Sequence, residues 1–457
     1  VPAPQFRVDP ASPPPRPAGG SLVHTAGRAV RQKLRLLSAY GNLWPAAGRG
    51  LRLVARGRLR EFGRKLFREW ADAGPDVPAG SRPGPPLVLG GHVLTLGGYD
   101  HVAFAVLRAL ATRGVNLLRD RRAIFNPDIV PPPLQPLRAR RTTEPRLVVF
   151  PPHLVGRFRP DRLTAVFTMW ETDSLPAAAV RALNRSGLVL VPSRWGVECF
   201  RANGVTVPLE VVPLGHDPGV FNPADDPRSG YPDPAARQTQ TTSCRVYPGG
   251  LPPCTFGTAG ALDQGGLRKN VPRVVGLFRR AFPAEPGVRL RVKVSPASPP
   301  VETHGDPRVE VIRTSLPPGE LADWYNSLTA FVNGSFGEGF GLHLLEAMAC
   351  GVPLISTTFG GVGEFFDASV GYEVGYDLIP ARNAIYGGRW ADPHDADLVR
   401  AMREVHAARG VARELGARAA VRATAFTWAD TGRRLAAALA RHGFLPSAGH
   451  HQHDGGE

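Results

Sequence analysis

The chain has 457 residues, 43% of them hydrophobic, which is too long for one ordinary core and enough for two or three. Its 55 basic and 39 acidic residues leave a net charge of +16, which suits anionic partners such as phosphorylated small molecules or anionic lipid. No apolar run approaches the ~18 residues of a membrane span, and the four cysteines form no CxxC pair, which speaks against a zinc site.

Only Lys33, Lys65, Lys269 and Lys293 among the basic residues are lysine, so most of the excess is an arginine bias of composition. The charge is uneven: His24 to Gly74 holds twelve basic and three acidic residues. Residues 1–84 are expected to form a Pro-rich and basic helical extension. Within it Leu59, Phe62, Leu66 and Trp70 share one helical face, with Arg58, Arg60, Arg64, Lys65 and Arg68 around it. Such a helix either packs on the body with a solvated charged side or makes peripheral contact with an anionic membrane. Nucleic acid is not the expected partner. The first residue is Val1 and no signal-peptide apolar stretch follows, so a fragment or processed chain is expected, located in the cytoplasm or peripherally at the inner face of the membrane.

From Leu87 the pattern changes to short apolar runs alternating with helical periodicity. Strands are expected at Leu87 to Leu89, Arg146 to Phe150, Thr164 to Met169 and Gly187 to Val191, with a helix over His101 to Arg113. Asn222 to Pro253 is polar and rich in Pro, Gly, Thr and Gln. Cys244 and Cys254 flank a loop there and either pair or stay as free thiols. Beyond it, strands are expected at Leu290 to Val294, Val309 to Ile312, Ala330 to Val332 and Pro353 to Ser356. Helices fit Pro272 to Phe282, Pro318 to Leu328, His343 to Cys350 and Asp395 to Ala408, and a last one follows Trp428. The order implies parallel sheets and a ligand crevice at their strand C-terminal ends. The expected division is an N-terminal Rossmann-like domain over 85–221, a linker over 222–254 and a C-terminal one over 255–425. A closing helix over 426–445 and a disordered tail over 446–457 complete it.

The most specific motif runs from Asn333 to Pro353, within the segment Gly334 to Glu364. It leaves a strand, passes Gly337, Gly339 and Gly341, and enters a helix whose unpaired N–H groups face an anion. Glu338 and Glu346 are eight residues apart, one before the helix and one about a turn inside it. A carboxylate accepts hydrogen bonds from adjacent hydroxyls, so one suits a sugar and the other a ribose. Arg268-Lys269-Asn270, soon after the strand Phe256 to Gly260, places one of the four lysines beside an arginine.

On these residues the sequence resembles glycosyltransferase family 4, retaining enzymes of the GT-B fold. The glutamate, seven residues and second glutamate of that family match Glu338 and Glu346, and the likeness continues to Gly360-Gly361-Val362-Gly363-Glu364. Phe167 to Pro176 and Val191 to Trp195 resemble its first-domain signature, in the subset with Trp170-Glu171. The resemblance implies two doubly wound α/β Rossmann-like domains facing a central cleft. It implies Glu338 on the donor sugar, Glu346 on the nucleotide ribose, and Gly339, Phe340, Gly341 and Leu342 around the diphosphate. Lys269, with Arg268, would meet the diphosphate charge, Glu171 the junction of donor and acceptor, Gly97-Gly98 the phosphate, and Ile312 the nucleotide base. The implied donor is a UDP- or GDP-sugar, with no cofactor and no metal required. The implied acceptor is a glycan, a lipid-linked glycan or a small-molecule hydroxyl. A GT-B sugar-nucleotide epimerase and a non-catalytic GT-B binding module on membrane are the alternatives.

Overall fold

A computed structural model of the chain describes residues 85–93, 98–125, 130, 137–138, 143–224, 253–262, 266–381 and 385–446. The expected N-terminal extension, most of the 222–254 linker including Cys244, Gly97, and all but the first residue of the expected tail lie outside these residues.

The first unit contains β1 (Pro86–Gly90), β2 (His92–Val93), α1 (Gly98–Ala111), β3 (Asn116–Arg119), β4 (Ile124–Phe125) and β5 (Leu137–Arg138). It continues through β6 (Arg146–Val149), β7 (Thr164–Phe167), α2 (Ala177–Leu183), β8 (Leu188–Val191), α3 (Arg194–Ala202) and β9 (Leu209–Val211). Its seven-stranded sheet is parallel, in the order β5-β3-β1-β6-β7-β8-β9. The central strands β6, β7 and β8 are buried at every position, as strands covered on both faces must be. Ser193 starts α3 by accepting a hydrogen bond from the Gly196 amide at 3.1 Å.

The second unit contains β10 (Cys254–Gly260), α4 (Val271–Ala281), β11 (Val288–Val294), β12 (Val309–Arg313), α5 (Pro318–Asn326) and β13 (Ala330–Val332). It goes on through α6 (Leu342–Ala349), β14 (Leu354–Ser356), β15 (Gly371–Glu373), β16 (Tyr376–Pro380), β17 (Arg389–Pro393), α7 (Asp395–Ala407) and α8 (Arg409–Ala423). Its six-stranded parallel sheet runs β12-β11-β10-β13-β14-β15, and β16 and β17 form a separate antiparallel hairpin. Cys254 opens β10 and is fully buried.

In both sheets the first strand is central and the chain crosses over it, between β1 and β6 and between β10 and β13. These are the switch points where a doubly wound sheet opens a crevice beyond its strand ends. The segment after β10 leads to Arg268 and Lys269, and the segment after β13 is the glycine loop.

The last helix, α9 (Trp428–Arg441), packs on α1 of the first unit. Thr427 caps it, taking the Asp430 amide at 3.1 Å. The chain before it is stitched to the first unit by His216 N to Phe426 O at 3.0 Å and Trp428 N to His216 O at 3.1 Å. Gly432 allows the approach, since a Cβ there would lie 2.8 Å from that of Ala109. Among the described residues no helix is long and apolar enough to cross a membrane.

Candidate active site

The two segments after β10 and β13 meet at one point. Gly260, the last residue of β10, leaves room for the stem of Lys269, whose Cβ would lie 2.6 Å from any Cβ placed there. The Phe336 amide donates to the Arg268 carbonyl at 2.9 Å, tying the cationic turn to the glycine loop. Lys269 Nζ then donates to Glu338 Oε1 at 2.7 Å, and Arg268 Nη1 lies 3.1 Å from Glu338 Oε2. Arg268 Nη1 also donates to the Gly337 carbonyl, and Nη2 faces Glu171 Oε1 at 3.8 Å.

These four side chains are withdrawn from water, with exposures of 6% for Glu338, 12% for Glu171, 13% for Arg268 and 16% for Lys269. Burial pushes the Glu338 carboxyl up, but Lys269 and Arg268 together outweigh it and hold Glu338 well below the usual carboxylate range. Burial, with Arg268, holds the Lys269 ammonium below its usual value, and Glu338 offsets only part of that. Glu171 is raised, chiefly by burial; Arg268, the Tyr386 hydroxyl and Lys269 oppose the rise while Glu338 adds to it. The cluster is thus a buried anion held by two cations, with a second, weaker-held carboxyl at its edge.

The glycines of the loop let the two units touch. A Cβ on Gly337 would collide with the Glu171 carbonyl oxygen, and one on Gly339 would come within 2.8 Å of Met169 Cγ. On the first-unit side, Tyr99 fixes the strand end: its hydroxyl donates to the Met169 carbonyl at 2.6 Å and accepts from the Met169 amide at 2.8 Å. The Trp170 indole N–H reaches both Thr172 Oγ1 and the Ser174 carbonyl at 2.8 Å, which orients the segment carrying Glu171.

Beyond Glu338 the chain turns through Gly341, at φ +91°, into α6. The amides of Leu344 and Leu345 donate to the Gly341 carbonyl at 2.8 and 3.2 Å, and the start of a helix is the end that favours an anion. His343, in its first turn, is pulled down to about 3 by burial and by Lys269, so the imidazole is neutral, and its Nε2 is buried without a partner. One turn further, Glu346 is buried and receives the Tyr325 hydroxyl at 3.2 Å, with Lys293 nearby. Ile312 stands in register opposite Lys293 on β12, partly buried.

Burial raises Glu346 from 4.5 to about 7, against the pull of Tyr325 and Lys293. A carboxyl that binds its proton more tightly folded than unfolded costs stability as pH rises from 4.5 through 7, with the whole cost present above that range. Glu346→Gln should therefore melt about 2–4 °C above the parent protein at pH 8 and lose that advantage near pH 5. Thermal melts across pH decide it; an advantage that does not change with pH contradicts the argument.

Of the residues singled out in the sequence, Glu338, Lys269, Arg268 and Glu171 lie together in one cluster. Gly339, Phe340, Gly341 and Leu342 form the turn into α6, and Glu346 sits one helical turn away. Gly98 opens α1 at φ +54°, and among the described residues nothing lies within 4 Å of a Cβ placed there. Tyr99 was read only as the residue that follows the Gly97-Gly98 loop, and His343, Tyr325, Lys293 and Tyr386 were given no role. Lys293 had a signal, as one of four lysines in an arginine-rich chain, and His343 had one as a lone polar ring on an apolar helix.

A family profile described as "Glycosyl transferases group 1" matches residues 273–384. A D-inositol 3-phosphate glycosyltransferase of Frankia alni is 36% identical over 132 residues, covering 29% of this chain and 28% of that one. One of Streptomyces bingchenggensis is 34% identical over 111 residues, covering 24% and 21%. The chain thus matches only about a quarter of the length of these curated relatives. Among solved structures, sucrose-phosphate synthase of Thermosynechococcus elongatus superposes with a TM-score of 0.57 at 17% identity, covering 79% of this chain and 99% of that one. Anabaena HepE, solved with UDP and glucose, does so at 0.56 with 12% identity, covering 79% and 100%. The shared architecture is the GT-B fold, two doubly wound α/β units facing a cleft.

Proposed function

We propose that the chain is a retaining glycosyltransferase that moves a hexose from a nucleoside-diphosphate sugar to an acceptor hydroxyl. The observation that carries this reading is Glu338, locked between Lys269 and Arg268 at the mouth of α6. Breaking a nucleotide-sugar bond leaves negative charge on the departing phosphate and positive charge at the anomeric carbon. Lys269, Arg268 and the amides of the α6 start meet the first, so in this reading no metal is called upon. The Glu338 carboxylate stands beside the second and takes the sugar hydroxyls. Glu346 takes the ribose and Ile312 lies beside the base. The matched relatives and the UDP complex of a structural neighbour support a nucleotide-sugar donor.

Glu338 pairs with both cations, so an arriving diphosphate competes with it for Lys269 and Arg268. Release turns the carboxylate toward the sugar at the moment the phosphate binds. Retention follows from front-face attack, in which the departing phosphate takes the acceptor proton. The acceptor is assigned to first-unit loops near Glu171, and the class of acceptor is a glycan, a lipid-linked glycan or a small-molecule hydroxyl.

The test is a thermal-shift panel of UDP, GDP and their hexose conjugates, since a ligand present at 100 times its Kd stabilises by about 2.7 kcal/mol. It is followed by transfer assays with and without a chelator, the product anomer being read by NMR. At least one nucleoside diphosphate should raise the melting point, transfer should survive the chelator, and the product should keep the donor configuration. No shift with any of them sinks the reading; inversion sinks its stereochemical part.

A further inference from the structure

The hairpin β16–β17 belongs to the second unit by its anchorage. The Ala391 amide donates to the Phe336 carbonyl at 2.8 Å, Trp390 stacks on Phe336 with ring centres 5.1 Å apart, and Arg273 pairs with Asp392. Its turn end nevertheless docks on the first unit. Gly387 bridges Ser174, and Asp173 takes the Arg389 amide at 2.6 Å and the Arg389 guanidinium at 2.8 Å. The Asp173 amide in turn donates to the Arg389 carbonyl at 3.0 Å. Gly388, at φ +75°, lies so close to Ser174 that any side chain there would collide with it.

That docking brings Tyr386 onto Trp170, with ring centres 4.8 Å apart, and places its hydroxyl beside the Glu171 carboxylate, where it favours the ionised form. Glu171 sits on the first unit, whereas Tyr386, Arg268, Lys269 and Glu338 come from the second. Arg268 alone would draw Glu171 into the ion cluster. A neutral hydroxyl holds the carboxylate without cancelling its charge, and a carboxylate has lone pairs left for a further donor.

We infer that Tyr386 is a positioning residue for the transfer, holding Glu171 toward the acceptor from a hairpin carried by the donor-binding unit. The inference rests on the transferase reading. It ties the acceptor side to the donor-binding unit, because the hairpin that carries Tyr386 is docked on Asp173 and Ser174.

Tyr386→Phe keeps the ring on Trp170 and removes only the hydroxyl. Two readouts test it. In the ligand-free protein, the Glu171 carboxyl is titrated by carbon NMR, with Glu171→Gln to assign the signal. In steady-state transfer, kcat and the donor and acceptor KM values are measured against pH. Losing a donor to the charged form should move the Glu171 titration upward by about one unit. The kcat should fall about tenfold, with its acid limb moved upward alike and nucleoside-diphosphate affinity within about twofold of the parent. Arg389→Ala, which removes the guanidinium arm of the Asp173 clamp but keeps its backbone bonds and Tyr386, should act in the same direction to a smaller extent. An unmoved Glu171 titration overturns the proposal, as does an unchanged kcat or a loss confined to donor affinity. A parent protein that transfers no sugar would sink the transferase reading, while the carbon titration would still judge the contact.

Discussion

Replacing Lys269 with Ala should lower the turnover of sugar transfer at least ~100-fold, because a preorganised donor aimed at developing charge is typically worth ~2.7–4 kcal/mol. The geometry favours an effect on chemistry over one on folding. Lys269 reaches Glu338 at 2.7 Å, but Arg268 lies 3.1 Å from the other oxygen of the same carboxylate. Removing the lysine therefore leaves Glu338 paired, and the melting point should change little. Lys269→Arg should recover only part of the loss: the stem is packed against Gly260, so a longer, planar head cannot take the place of the ammonium. The measurement is kcat with saturating donor and acceptor alongside a melt. Normal transfer by the Ala variant would remove Lys269 from the site.

Much of the donor half was legible because it is local in sequence. Gly337, Gly339 and Gly341 stand between a strand and a helix, and the two glutamates flank the helix start. Lys269 comes nine residues after the end of β10. Central strands such as β6, β7 and β8 were legible as apolar runs, with ends off by one or two residues. The helix α1 starts at Gly98 rather than His101, because Gly98 accepts a positive φ and Asp100 suits a first turn.

The rest was hidden for physical reasons. Strands β2, β4 and β5 are two residues long and owe their existence to neighbours rather than to pattern. Helix α8 buries Ala412, Leu415, Gly416, Ala419 and Ala423, a face made almost wholly of small residues that gives little hydrophobic contrast. The β16–β17 hairpin shows mostly exposed positions in β16 and no clean alternation, so the approach of Tyr386 to Glu171, 215 positions apart in the sequence, appears only once the chain has folded. Glu171 was readable from its signature; the hydroxyl that holds it was not.

Glu338→Ala separates the two roles of the ion cluster. The variant leaves Arg268 and Lys269 buried without their shared anion, and breaking a buried pair in this way typically costs ~3–5 kcal/mol. Turnover should fall at least ~100-fold as the anomeric centre loses its carboxylate. The double variant Lys269→Ala/Glu338→Ala removes one of the uncompensated charges together with their partner, so it should be more stable than Glu338→Ala alone. That ordering is a coupling a simple packing loss would not produce. Nucleoside diphosphate should behave in the opposite sense. Because the carboxylate competes with phosphate for both cations, the same ligand concentration should raise the melting point of Glu338→Ala by more than that of the parent. Three melts, with and without UDP or GDP, read all of this. Equal ligand-induced shifts in parent and variant would mean that Glu338 does not guard the cations, and the proposed release of the carboxylate toward the sugar would fail with it.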